Sequence, residues 1–133
     1  MLNDPAPAIS WSVVDWRRRP KAAYEVLRVA MQQVLVCVEF PKDRYAAGRE
    51  VSLPLFVVND LPRRLGETGV VWELYLGDAR VAGGLVEAEI PGDSVAEVGK
   101  VRARLDAPGD ATLRLWLAAE GVAVSNRYEF RVG

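Results

Sequence analysis

From residue 34 to the C-terminus, apolar side chains recur at every second position in short blocks, and turn-forming residues separate the blocks. Alternation of this kind puts one row of side chains on each face of an extended strand, so each block predicts a half-buried β-strand. The first block, 34–40, is a β-branched apolar run closed by Pro41, Lys42 and Asp43. In the second, Val51, Leu53, Leu55, Val57 and Asn59 alternate with Ser52, Pro54, Phe56 and Val58. Pro54 predicts an edge or a bulge there, because it has no N–H for the ladder. Further strands are predicted over 70–76, 80–90, 95–105, 111–118 and 122–132, divided by turns rich in Gly, Pro, Asn and Asp. Gly83 and Gly84 predict a bulge inside the 80–90 strand.

Before residue 34 the period changes. Ala23, Leu27, Ala30 and Val34 recur at helical spacing with Tyr24 and Met31 beside them, while Glu25, Arg28 and Gln32 fall opposite. This pattern predicts an amphipathic helix. Pro20 suits its first turn, where a missing N–H costs nothing, and the helix is expected to end near Gln33. Residues 1–19 read as irregular, since Pro5 and Pro7 forbid regular pairing. The expected organisation is a lead and helix over 1–33, then a sandwich over 34–133. The fold class is mainly β: an immunoglobulin-like antiparallel β-sandwich of about seven strands, preceded by an irregular segment and one α-helix.

Composition narrows the chemistry. Seventeen basic residues against 18 acidic give a net charge of −1, which creates no field to gather nucleic acid or an anionic membrane. The chain has no histidine, so triads with an imidazole base and histidine metal sites are excluded. Cys37 is the single cysteine; it forms no intrachain disulfide and reads as a buried small hydrophobe. No cofactor or metal is expected. The N-terminal residues carry no signal-peptide pattern, and no apolar run approaches the roughly 18 residues of a membrane span. The compartment stays open.

Few side chains suggest a site. Glu87 and Glu89 share one strand face and read as a solvated face, with Val86, Ala88 and Ile90 on the other. The scattered aspartates suit turns. Arg17, Arg18 and Arg19 read as a solvated collar before the helix. The tryptophans are the candidates for ligand contact, since sugars stack on exposed indole faces. Trp72 shares a face with Leu74 and Leu76 and is expected inside. Trp116 falls opposite Leu113, Leu115 and Leu117, so it faces outward or covers the helix. Trp11 and Trp16 lie in the lead. Trp11, Trp16 and Trp116 are therefore the candidate sugar-stacking residues.

The lead carries a longer pattern: Leu2-Asn3-Asp4, then Pro7-Ala8-Ile9-Ser10-Trp11-Ser12-Val13-Val14-Asp15-Trp16, then Arg19-Pro20-Lys21-Ala22-Ala23-Tyr24. This stretch resembles the end of the catalytic (β/α)8 barrel of family 2 glycoside hydrolases of the β-mannosidase and exo-β-glucosaminidase type. In that family a Leu-Asn-Asp motif leaves the last barrel strand and an Arg-x-Pro-Lys-x-x-Tyr motif opens the last barrel helix. The rest, with Val57-Val58-Asn59-Asp60-Leu61 and Ser125-Asn126-Arg127-Tyr128-Glu129-Phe130, resembles the immunoglobulin-like domain that follows the barrel. Ala6 and Trp16 depart from the family's usual tryptophan and tyrosine.

The resemblance implies a non-catalytic accessory domain that packs against or shapes the catalytic barrel of a parent enzyme, with Asn3 and Asp4 near the substrate rim. The chain itself is not expected to be an enzyme: retaining hydrolysis needs two carboxylates held about 5–5.5 Å apart across the bond, and the barrel that holds them has no counterpart in these residues. Two other readings stay open. One is a stand-alone carbohydrate-binding module, which requires coplanar exposed aromatics. The other is an assembly module that forms a homodimer through the exposed helix, whose apolar stripe needs a cover.

Overall fold

Among the described residues, eight strands form two sheets, three-stranded in the order β1-β3-β6 and five-stranded in the order β2-β8-β7-β4-β5. The strands are β1 (Val34–Val38), β2 (Arg44–Tyr45), β3 (Arg49–Asn59), β4 (Leu65–Leu76), β5 (Ala79–Ile90), β6 (Ser94–Leu105), β7 (Gly109–Ala119) and β8 (Val122–Val132). A helix, α1 (Ala22–Ala30), precedes them. This computed structural model describes residues 12–15, 17–39 and 42–133. The chain divides into two compact units, residues 1–32 and 33–133.

The second unit is a sandwich with immunoglobulin connectivity. All pairings are antiparallel except β2 with β8, which is parallel. The first stretch of chain therefore serves both sheets: β1 pairs with β3, and β2 then joins β8 in the opposite sheet. The core lies between the inner faces. Val36, Leu55 and Val57 come from one sheet, and Val70, Leu74, Leu113 and Leu115 from the other, all essentially without exposure. Trp72 of β4 is also buried, as its alternation with Leu74 predicts.

Three details differ from expectation. β2 and residues 65–69 of β4 lie outside the predicted strands. Gly83 and Gly84 pair regularly with Glu73 and Trp72, and the irregularity in β5 falls instead between the Leu74 and Tyr75 pairings. Gly84 serves packing: a Cβ there would stand 2.7 Å from the Trp72 indole nitrogen. Cys37 is half-buried, because it points to the outer side of β1 while Val36 and Val38 point to the core. Pro54, by contrast, sits where expected, beside a register shift between Leu55 and Phe56 and just past the end of β1.

In the first unit, an isolated bridge joins Val14 to Pro20 and closes a loop over Asp15. The Asp15 carboxylate accepts from the Arg19 backbone N–H at 2.8 Å and from its guanidinium at 2.9 Å. These bonds, the backbone one above all, hold the carboxyl below its ordinary pKa. Arg18 takes φ +63° at the tip. Pro20 thus belongs to this loop, and the helix starts after Lys21, its extended N-cap residue. No residue of α1 is buried; Val26 and Met31 are the most exposed of its large apolar side chains and their neighbours.

Candidate functional site

The outer face of the five-stranded sheet carries the one described tryptophan that reaches solvent. Register places Leu85, Val71, Trp116 and Ser125 in one row across β5, β4, β7 and β8. Leu85 is 62% exposed, and Val71 and Trp116 are each 38% exposed. On one side the row is bordered by Gly69, Ala118 and Ala123, which leave the indole edge uncovered. On the other side lie Glu73, Arg114 and Arg127. The Arg114 guanidinium rests 5.0 Å over the Tyr75 ring, whose hydroxyl donates to Glu73. That hydrogen bond is the main reason the Tyr75 pKa is raised.

Glu87 and Glu89 are both exposed, with Val86 and Ala88 half-buried on the opposite side, as alternation predicts. Glu67 lies directly across from Glu89, which pairs with Arg64 at 2.5 Å. Together with Thr68, Gly69 and Ala88 they line a shallow depression. Among the described residues, no group of His, Cys, Asp and Glu is arranged to hold a metal ion.

The three-stranded sheet has a partly apolar outer face as well. Leu35, Val58 and Val95 form a row across β1, β3 and β6, with Cys37 opposite Phe56 beside it. A sandwich needs apolar side chains only on its inner faces, so this row is surplus to the core.

Trp116 is the sequence-predicted site residue that the described structure places, and it faces outward. Asn3, Asp4, Trp11 and Trp16 lie outside the described residues. The two sandwich asparagines of the resemblance motifs turn out to be structural. Asn59 is fully buried, donates to the carbonyls of Arg63 and Pro91, and accepts from Leu61 N–H. Asn126 of β8 donates to the Val36 carbonyl of β1 and to the Tyr128 hydroxyl, which accepts from Val38 N–H. The Asn126 and Tyr128 side chains join the sheets along the free edge of β1. Asn59 and Asn126 both carry a sequence signal: a polar residue at an inward position of an alternating strand.

Burial raises the Tyr128 pKa above its ordinary 10.0 and the Cys37 pKa above its ordinary 9.0. Groups raised in the folded state keep their full stabilising contribution below the unfolded pKa and lose it as pH climbs through the folded value. The melting temperature of the sandwich is therefore expected to fall as pH rises from about 9 to 11. Calorimetry across that range checks this, and Tyr128→Phe should flatten the decline.

No protein-family model matches the chain, and no curated protein matches it. Solved structures do. A β-D-mannosidase from Dictyoglomus thermophilum superposes with a TM-score of 0.67 and 23% identity, over 97% of this chain and 15% of that one. A family 123 glycoside hydrolase from Clostridium perfringens gives 0.51 at 5% identity, over 76% and 27%. The alkylpurine DNA glycosylase AlkC of Pseudomonas fluorescens gives 0.50 at 10%, over 84% and 33%. The chain spans less than two thirds of each of these proteins. At such identities the likeness shows a shared fold, carried by proteins of different chemistry.

Proposed function

We propose that this chain is the non-catalytic C-terminal accessory region of a β-mannosidase-like family 2 glycoside hydrolase, and that it packs against the catalytic barrel. One observation carries this reading. The superposition on the D. thermophilum β-D-mannosidase takes in 97% of this chain but only 15% of the enzyme. The match thus spans nearly everything here, and most of the mannosidase has no counterpart in it. The pattern from Leu2 to Tyr24 supports the same reading.

The apolar row Leu35, Val58 and Val95 supplies a contact surface for the barrel. Asn3 and Asp4 would stand at the substrate rim in the assembled enzyme. The chain alone hydrolyses no glycoside, because the two carboxylates belong to the barrel.

The test is reconstitution. A family 2 β-mannosidase barrel truncated before its Leu-Asn-Asp motif is mixed with this chain, and binding is followed by calorimetry. Binding is expected, and Val58→Lys should weaken it at least about tenfold by burying an unpaired charge. Absence of binding, together with a stop codon directly upstream of the Met1 codon, would overturn the proposal.

A further inference from the structure

We infer that the outer face of the five-stranded sheet is a self-association surface, occupied by the same face of a second copy of this chain. The register of its strands makes the face self-complementary. Consider a two-fold axis that runs parallel to the strands, between β4 and β7, and lies in the plane of contact. It exchanges β4 with β7 and β5 with β8 while keeping every row in place.

Row by row, this operation brings unlike groups together. Trp116 of one copy meets Val71 of the other, since the two are cross-strand partners in one chain. Arg114 meets Glu73 by the same rule. In the next row Glu129, across from Thr112, meets Arg80, across from Tyr75. Each ion pair occurs twice by symmetry. Arg127 falls opposite Gly83, over which the flexible Arg80 guanidinium lies in the single chain, so Arg80 has to swing toward Glu129 as the copies meet. Where the register runs past the end of β7, Glu67 approaches Glu120, at the solvated rim where like charge costs least.

Within one chain, these charges pair loosely or at the surface: Arg80 stands 3.8 Å from the partly buried Glu73, which also accepts from Tyr75, and Arg127 lies 2.5 Å from the exposed Glu129. Pairs of this kind hold their partners weakly and leave them available to a second copy. Four strands by seven residues give a face of about 19 Å by about 23 Å. Two such faces bury on the order of 900 Å², below the size of a stable interface and within the range of weak, transient ones. The dimer is therefore weak and forms only at high concentration. Its central contact is an aromatic ring on an aliphatic side chain inside a charged border, the usual anatomy of an interface hot spot.

Sedimentation equilibrium of the full chain tests the inference. The weight-average mass should climb from 14.6 kDa toward twice that value with concentration. Trp116→Glu should raise the dissociation constant at least about tenfold. Glu73→Arg sets guanidinium against guanidinium, and Arg114→Glu sets carboxylate against carboxylate, so each variant alone should stay monomeric with the strand signal in circular dichroism unchanged. An equimolar mixture of these two variants should recover the dimer. The substitutions sit on separate chains, so repair within one chain cannot produce that recovery.

A monomer at every concentration overturns the inference. So does a mixture that fails to associate. A dimer lost on Met31→Glu but kept by the sheet variants assigns pairing to the helix and overturns it too. None of these results bears on barrel binding, because Val58 and Phe56 lie on the other sheet.

Discussion

Asn59→Ala is expected to lower the stability of the sandwich by about 3 kcal/mol, a melting-temperature drop on the order of 10–20 °C. Asn59 is a hub between two loops. Its amide donates at 3.0 Å to Arg63 O and at 2.9 Å to Pro91 O, and its carbonyl accepts from Leu61 N–H. The same loops meet again where Asp93 N–H donates to Leu61 O. Gly92 lets them approach, since a Cβ there would stand 2.6 Å from Pro62 O. Truncation leaves Arg63 O and Leu61 N–H without their Asn59 partner, while Pro91 O keeps the Ser94 hydroxyl, and each lost partner costs about 1–3 kcal/mol. Asn59→Asp separates hydrogen bonding from volume: it keeps the size but loses both donors, and a carboxylate facing two carbonyls should cost at least as much. Chemical unfolding with an unchanged m-value measures both. A loss below about 1 kcal/mol for either variant would mean the hub does not hold the loops.

The second large effect contrasts neighbours on β7. Leu115→Ala should cost about 3–4 kcal/mol, because Leu115 is fully enclosed and faces Trp72 across the β4–β7 ladder. Trp116→Ala removes a larger side chain, yet should cost only about 1 kcal/mol, because the ring lies on the outer face. The order is opposite to that of residue size. Denaturant unfolding of the two variants reads it directly, and equal losses would contradict the placement of either residue.

That contrast is legible in the sequence. Alternation alone puts Trp72 inside and Trp116 outside, and it locates seven of the eight strands. It fails where pairing rests on backbone rather than on apolar side chains. β2 is only Arg44 and Tyr45, held by two parallel partners on β8, and no period can appear in two residues. The first half of β4 is hidden by Gly66, Glu67 and Gly69, although Leu65, Thr68 and Val70 point inward. Gly84 misled for a related reason. A glycine in a strand signals a bulge or a close neighbour, and only the partner across the ladder, Trp72, decides between them.

The functional surfaces were less legible than the fold. Periodicity assigns a residue to a face but does not align one strand with the next. The row of Leu85, Val71 and Trp116 exists only once registers are known, and so does the row of Leu35, Val58 and Val95. Asn59 and Asn126 were visible as parts of motifs, but their partners lie on distant segments: Pro91 for one and Val36 for the other.

The bonds from β8 to β1 have a mechanical consequence. Asn126 reaches Val36 and Tyr128 reaches Val38, so the first and last strands run in the same direction where they touch. β2 continues this arrangement against Arg131 and Val132. Tension applied between the two ends of the sandwich therefore pulls these strands past each other lengthwise. The side-chain bonds and the short parallel ladder then carry the load together in shear, instead of unzipping one after another. A sandwich joined to its neighbours by its first and last strands resists stretching through its seam.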